Sequence, residues 1–232
     1  MVSSEEGRLD YRVSPLPEQP AFGAIVTQLT PQNLDDPAVR ASLRALWVDK
    51  GVIVFRGLEG GEESHLRLSR IFGKLTDHMM FRGQPGYHPE LIELPYTGEQ
   101  ETYEVDGQEV GALLPWHIAG IYTDRVNRGG ILRPLQLPRA GGETGFIDRI
   151  NAYNRLPEDL KARIEGLSVL YLPDFDATHQ RFGRAPGLKL KRKTTMMAER
   201  LRTKLPRTIH PLVYSQPETG RKVLNVSPWF AN

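Results

Sequence analysis

Cysteine is absent from the 232-residue chain, and no stretch approaches the roughly 18 consecutive apolar residues of a membrane-spanning helix. Without cysteine there can be no disulfide framework, no thiolate metal site and no cysteine nucleophile, so any metal must be bound by His, Asp or Glu. The N-terminal residues lack the basic and apolar regions of a secretory signal. These absences predict a cytoplasmic protein with no membrane partner.

An excess of charge of one sign is also lacking, because 30 basic residues stand against 28 acidic ones. A nucleic-acid partner is therefore not expected. The basic run Lys189-Leu190-Lys191-Arg192-Lys193 is typical of a solvated surface or an active-site lid. The chain also has no Gly-x-Ser-x-Gly elbow and no glycine-rich phosphate loop, which argues against hydrolases and nucleotide-binding enzymes.

Hydrophobic periodicity predicts helices and short strands. A helix should begin at Asp36-Pro37, since Asp is a good N-cap and Pro suits the first helical position. Further helices are expected from Glu62, from Pro157 and over residues 194–205. Strands are predicted at residues 51–57, 131–137, 143–147, 169–172, 209–214 and 222–226, with the last two forming a hairpin.

This pattern favours one domain over residues 1–232, mainly β with peripheral helices, as in a double-stranded β-helix or jelly roll. The polar segments 82–112 and 173–208 are expected to be active-site loops or a lid. A jelly roll needs about eight strands, and the predicted number is smaller, so we expect the natural protein to continue beyond Asn232.

Seven sequence blocks occur in an order and spacing that resemble the taurine dioxygenase (TauD/TfdA-like) family of Fe(II)/2-oxoglutarate-dependent oxygenases. The blocks are residues 51–57, residues 71–75, Trp116-His117, Gly141-Gly142-Glu143-Thr144, Ala152-Tyr153, residues 164–167, and His210-Pro211 with residues 217–221.

The resemblance implies an enzyme that holds Fe(II) through a His-x-Asp/Glu pair and a distal His, leaving coordination positions open. Fe(II), 2-oxoglutarate and O2 are then the cofactors and co-substrate. Decarboxylation of 2-oxoglutarate to succinate and CO2 would drive hydroxylation, or another oxidation, of a C–H bond in a small-molecule substrate. Homo-oligomerisation is left open.

Residue by residue, the resemblance assigns His117 as the first metal ligand and Thr144 as the hydroxyl that binds a 2-oxoglutarate carboxylate. His78 and Phe81 align with positions that hold the substrate. Phe81 has no phenolic hydroxyl, which makes a sulfonate substrate less expected. Taken alone, each of these residues also has a simple packing interpretation. The pair His210-Pro211 is not a metal ligand in the family.

The chain departs from the family at two places. Ala119 stands where the acidic iron ligand is expected, and the distal His and the 2-oxoglutarate-binding Arg belong to a later segment that this chain does not contain. Asp124 could replace the carboxylate only if the backbone were rearranged.

Three interpretations of Ala119 are open. It could be a substitution introduced into a hydroxylase, the natural His-x-Ala site of a halogenase that coordinates chloride, or the mark of a pseudoenzyme. A catalytically inactive jelly-roll domain that binds a ligand is the non-enzymatic alternative.

Overall fold

The computed structural model describes residues 10–77, 86–95, 98–111, 113–192 and 205–232. Two compact units divide the chain: Met1–Leu91 with Gly129–Asp148, and Ile92–Arg128 with Arg149–Asn232. Each unit has its own sheets and helices. That the whole chain acts as one domain stays a prediction.

The first unit contains a three-stranded sheet and two helices. Its elements are β1 (Arg12–Pro15), β2 (Ala24–Thr27), a 3-10 turn (Pro31–Asp35), α1 (Pro37–Lys50), β3 (Ile53–Arg56) and α2 (Gly61–Phe72). Strand β1 pairs antiparallel with β2, and β2 pairs parallel with β3.

Helix α1 begins where the sequence predicts. The Asp36 carboxylate accepts hydrogen bonds from the backbone N–H groups of Ala38 and Val39, at 2.7 and 3.0 Å, which satisfies two donors of the first turn. The helix ends at Lys50, and the C-cap residue Gly51 has a φ of 74°, which suits glycine. Local capping chemistry therefore fixes both ends.

The apolar faces of both helices pack on β2 and the 3-10 turn. Val26, Leu34 and Leu43 are completely buried there. The buried core of the unit consists of Tyr11, Val26, Leu29, Leu34, Val39, Leu43, Leu68 and Ile71. The predicted helix–strand–helix order is confirmed for α1, β3 and α2, whereas β1 and β2 were not predicted.

The second unit is built from small antiparallel sheets and two short helices. Its elements are β4 (Thr102–Val105), β5 (Gln108–Gly111), α3 (Arg149–Asn154), α4 (Glu158–Ile164), β6 (Ser168–Tyr171), a 3-10 turn (Ala177–His179), β7 (Lys189–Arg192), β8 (Thr208–Pro211), β9 (Val213–Ser215) and β10 (Lys222–Leu224). The sheets have the strand orders β5-β4-β7, β6-β8 and β9-β10.

Residues Lys189–Arg192 of the basic run form strand β7, in which every side chain but that of Leu190 is exposed. Glu104 on β4 pairs with Lys191 at 2.8 Å and with Lys189 at 3.5 Å. The hydrogen bond and charge of Lys191, followed by the charge of Lys189, lower the pKa of Glu104. Two lysines of the run thus share one carboxylate within the sheet. The helix predicted over residues 194–205 falls almost entirely outside the described residues.

The strands predicted at 131–137 and 143–147 are wrong. These residues adopt no regular structure, and Leu132, Leu135 and Leu137 are 64%, 69% and 75% exposed. A strand is stable only when a neighbour satisfies its backbone groups, and no described strand pairs with this stretch. The hairpin near the C-terminus is confirmed as β9–β10, whereas residues 208–211 form a separate strand on β6.

The described part of the chain is thus mainly short β-strands with few helices. None of its helices is both long enough and apolar enough to cross a bilayer.

Candidate functional site

His117 lies in an irregular segment of the second unit that turns twice within a few residues. The backbone N–H of Ile121 donates to the Ile118 carbonyl at 3.3 Å, and that of Thr123 donates to the Gly120 carbonyl at 3.0 Å. Gly120 has a φ of 74°, a left-handed conformation that glycine adopts without strain. No described strand pairs with the segment, so contacts from other parts of the chain must fix its position.

A short hydrogen bond sets the tautomer of His117. Its Nδ1 lies 2.7 Å from the Pro115 carbonyl oxygen. A carbonyl can only accept, so Nδ1 carries the proton and the neutral ring keeps its lone pair on Nε2. Among the described residues Nε2 has no hydrogen-bond partner, and the side chain is exposed. This arrangement is the usual one for a histidine that binds a metal through Nε2.

Aromatic rings hold the His117 imidazole from the side. Trp229 and Phe230 contact it edge-on, with ring centroids 5.3 and 5.8 Å away. These two rings stack on each other at 4.7 Å, and Tyr122 and Phe175 extend the cluster. Such pairs add stability beyond the area they bury. Burial raises the pKa of Tyr122, so its phenol stays neutral.

Residues 227–229 also bind the backbone on both sides of His117. The completely buried Ser227 accepts a hydrogen bond on Oγ from the Ile118 N–H at 3.0 Å. The backbone N–H of Trp229 donates to the Trp116 carbonyl at 3.4 Å. The Trp229 indole N–H is buried without a hydrogen-bond partner among the described residues. The C-terminal residues therefore form one wall of the candidate site.

Strand β8 fixes the far end of the same segment. Thr208 donates from Oγ1 to the Ile121 carbonyl at 3.2 Å, and His210 donates from Nε2 to the Thr123 carbonyl at 3.0 Å. In both contacts the acceptor is a backbone carbonyl, so both side chains act as donors.

The remaining metal ligands are missing around His117. Ala119 has an exposed methyl group and no atom that can coordinate a metal, and Asp124 is an exposed residue of the following turn. No group of three or more His, Cys, Asp or Glu side chains in the described ranges could hold a metal ion. The imidazole fits one ligand of an iron site, but the described residues do not complete such a site.

Thr144 belongs to the first unit, where it is exposed in a stretch without regular structure. It follows Gly141 and Gly142, whose φ angles are 75° and 78°, so the Gly-Gly pair forms a turn that other residues would adopt only with strain. His78 and Phe81 lie outside the described residues. His117 and Thr144 therefore belong to different units, and each is described within its own unit.

The segment 173–192 contains a second polar cluster. Asp174 accepts from His179 Nδ1 at 2.9 Å, and Asp176 caps the following 3-10 turn through the Thr178 N–H at 2.9 Å. A cavity of about 310 Å³ is lined by Leu172, Pro173, Asp174, Leu205, Pro206 and Arg207. The His179 side chain is half exposed.

Sequence reasoning missed Ser227, Trp229 and Phe230. A signal was present, because Trp-Phe in the final residues of a chain must pack somewhere if the segment is ordered. The sequence does not indicate which residues they contact, because the hydrogen bond from Ile118 to Ser227 joins residues 109 positions apart.

The chain matches known proteins over nearly its whole length. The sequence profile described as "Taurine catabolism dioxygenase TauD, TfdA family" matches residues 12–232. An (S)-phenoxypropionate/alpha-ketoglutarate-dioxygenase of Sphingobium herbicidovorans is 29% identical, covering 92% of this chain and 69% of the relative. An alpha-ketoglutarate-dependent 2,4-dichlorophenoxyacetate dioxygenase of Burkholderia sp. (strain RASC) is 28% identical, covering 88% and 67%.

The chain is also similar to a solved structure. The crystal structure of a taurine dioxygenase from Burkholderia xenovorans superposes with a TM-score of 0.63 at 26% identity, covering 96% of this chain and 66% of that one. The chain thus spans about two thirds of the length of the proteins it matches.

Proposed function

Because the chain belongs to the taurine catabolism dioxygenase TauD, TfdA family, we propose that it serves 2-oxoglutarate-dependent oxidation of a small molecule, with His117 as an Fe(II) ligand. The observation that carries this proposal is the His117 tautomer. Its Nδ1–H is bound to the Pro115 carbonyl, which leaves the Nε2 lone pair available to a metal. The proposal places this chain in the metal-binding part of a jelly-roll oxygenase.

The other roles follow from the same family membership. Thr144 would donate its hydroxyl to a 2-oxoglutarate carboxylate, and His78 and Phe81 would contact the substrate. Residues 82–112 and 173–208 would cover the site. The names of two relatives, which specify phenoxypropionate and 2,4-dichlorophenoxyacetate, favour an aryloxy acid or a similar small carboxylate as the substrate class. A cytoplasmic location belongs to the same proposal.

The chain's own residues have defined tasks in this scheme. When bound, Fe(II) would activate O2, which is the oxidant, and conversion of 2-oxoglutarate to succinate and CO2 would supply two of the four electrons that O2 accepts, the substrate supplying the other two. His117 keeps its proton on Nδ1 and offers Nε2, and the aromatic rings of Trp229 and Phe230 restrict its rotation. Ala119 contributes no ligand, so the acidic group expected at this position is absent.

Restoring the carboxylate tests the proposal. Ala119→Asp should raise the affinity for Mn(II), a redox-silent substitute for Fe(II), because it creates a His-x-Asp pair. Mn(II) binding is measured by electron paramagnetic resonance, and Fe(II)-dependent succinate formation from 2-oxoglutarate is the second readout.

Ala119→Asn is the matched control, since it has the same size but no charge, and it should give a much smaller gain. His117→Gln in the Ala119→Asp chain should remove the gain. If Ala119→Asp binds Mn(II) no better than the unmodified chain, the metal-ligand role of His117 is wrong.

A halogenase is the second candidate, and Ala119 itself favours it. A small residue beside the ligating histidine leaves room for a chloride at the metal, and chlorine rather than hydroxyl would then be transferred to substrate. Chlorinated product that depends on chloride supports this candidate. Product free of chlorine at saturating chloride contradicts it. An inactive ligand-binding domain would bind 2-oxoglutarate in calorimetry and form no succinate.

A further inference from the structure

We infer that Ser227 is a positioning residue for His117, acting through the backbone of Ile118 to keep the imidazole proton on Nδ1. The importance of that tautomer for metal binding rests on the proposed function. The inference about Ser227 itself rests only on contacts within the second unit.

The His117–Pro115 contact depends on the local backbone geometry. Only one residue, Trp116, separates the Pro115 carbonyl from His117, so the 2.7 Å hydrogen bond depends on the backbone torsions of residues 116 and 117. No helix or strand fixes those torsions. They must be held by contacts made from elsewhere in the chain.

Two hydrogen bonds from residues 227–229 make those contacts. The Trp116 carbonyl accepts from the Trp229 N–H, and the Ile118 N–H donates to Ser227 Oγ. The two hydrogen bonds bracket His117 on either side. One is made by a backbone group that no substitution of Trp229 short of proline removes. The other is made by a side chain, so Ser227 is the member that can be tested.

Burial keeps the Ser227 hydroxyl away from water. Ser227 is completely buried and Ile118 is partly buried, so water cannot simply replace the lost acceptor. An unsatisfied N–H in such a place is costly enough to move the backbone toward another partner. Such a shift would break the hydrogen bond to the Pro115 carbonyl. The neutral His117 ring could then carry its proton on either nitrogen.

Nitrogen NMR of ¹⁵N-histidine-labelled full chain measures the tautomer directly. Spectra are taken at about pH 9, where histidine is ordinarily neutral, and His117→Gln identifies the His117 signals. The unmodified chain should show mainly the Nδ1–H form. Ser227→Ala should lower the ratio of Nδ1–H to Nε2–H by roughly 2- to 10-fold, the factor expected for one hydrogen bond.

Two further variants make the result decisive. Ser227→Cys fills the buried site and replaces the hydroxyl by a weak acceptor, so it carries the test if Ser227→Ala loses its cooperative thermal transition. Thr208→Ala is the matched control, because it removes another buried hydroxyl that bonds the same segment, at the Ile121 carbonyl. It should leave the His117 spectrum unchanged. An unchanged spectrum in both folded Ser227 variants, or an equal shift in Thr208→Ala, would overturn the inference.

Metal binding separates this inference from the proposed function. In the Ala119→Asp chain, Ser227→Ala should weaken Mn(II) binding by roughly 10- to 100-fold, as for other residues that orient a ligating histidine. If the tautomer shifts but Ala119→Asp binds no Mn(II), Ser227 positions His117 and the proposed function is wrong. If Ala119→Asp binds Mn(II) and the Ser227 variants leave the tautomer unchanged, the positioning role is wrong and the function stands.

Discussion

His117 and His210 carry their imidazole protons on opposite ring nitrogens. Nδ1 of His117 donates to the Pro115 carbonyl, whereas Nε2 of His210 donates to the Thr123 carbonyl. Both contacts belong to the same turning segment. The two histidines therefore have different tasks: His117 offers Nε2 outward, and His210 uses Nε2 to attach strand β8 to the segment.

Substituting His210 should reduce stability without removing metal binding. In the Ala119→Asp chain, His210→Ala should lower the free energy of unfolding by about 1–2 kcal/mol, because a hydrogen bond to a backbone carbonyl is lost. The Mn(II) affinity of this variant should stay within about threefold of that of the Ala119→Asp chain, which is a smaller change than the loss of one hydrogen bond can cause. Urea unfolding and Mn(II) titration measure the two effects. A loss of affinity as large as that of His117→Gln would make His210 a ligand.

Buried tyrosines should make the second unit sensitive to alkaline pH. Burial is the main cause that raises the pKa of Tyr103, and its hydrogen bond to Glu101 adds to the effect. Burial likewise raises the pKa of Tyr122 and Tyr171. A raised pKa in the folded state stabilises the fold fully below the unfolded value of about 10, and this contribution is lost as pH rises further.

The free energy of unfolding should therefore fall above about pH 10, by up to about 1.4 kcal/mol per pH unit for each tyrosine that is protonated only in the folded state. Denaturant titrations between pH 9 and about 11.5, with phenolate absorbance as a second probe, check this. Tyr103→Phe should make the slope shallower, although it also removes a hydroxyl that bonds Glu101. A slope identical to that of the unmodified chain would mean that Tyr103 ionises normally.

Local chemistry made part of the fold predictable. The Asp36-Pro37 pair marks the start of α1 because a cap and a first-turn proline act within three residues of one another. The hairpin turn at Asp106-Gly107 is of the same kind, since both residues have positive φ, as tight hairpin turns require. Such features need no knowledge of the rest of the chain.

Features that depend on distant partners were not predictable. Residues 131–137 have the apolar composition of a strand, but composition says nothing about whether a neighbouring strand is available to pair. His117 could be nominated from its sequence block, whereas its tautomer depends on a carbonyl contact and on Ser227, far along the chain. His117 could thus be predicted from the sequence as a candidate site residue, whereas the contacts that set its tautomer could not.

Two leucines of the first unit should respond very differently to the same substitution. Leu43 is completely buried in the core of α1 and α2, whereas Leu135 is 69% exposed. Leu43→Ala should lower the free energy of unfolding by about 2–5 kcal/mol through lost burial and a residual cavity. Leu135→Ala should change it by less than about 0.5 kcal/mol. Equal losses in urea unfolding would show that the residue 131–137 stretch is covered in solution.

Gly120 and Gly130 provide a similar pair for backbone conformation. Gly120 follows Ala119 with a φ of 74°, and a Cβ there would meet its nearest atom, Asn127 Nδ2, at 3.6 Å, an ordinary contact. Gly120→Ala should therefore destabilise through its backbone conformation alone, by about 1–2 kcal/mol. Gly130 lacks a positive φ, and a Cβ there would meet nothing within 4 Å.

Gly130→Ala should accordingly be neutral or stabilising by up to about 1 kcal/mol, because alanine restricts the unfolded chain. The two variants thus differ in sign although the substitution is the same. Gly120→Asn should recover part of the loss, since asparagine enters the left-handed region more readily than alanine. If Gly120→Ala is as stable as Gly130→Ala in urea unfolding, the segment that carries His117 does not turn at Gly120 as described.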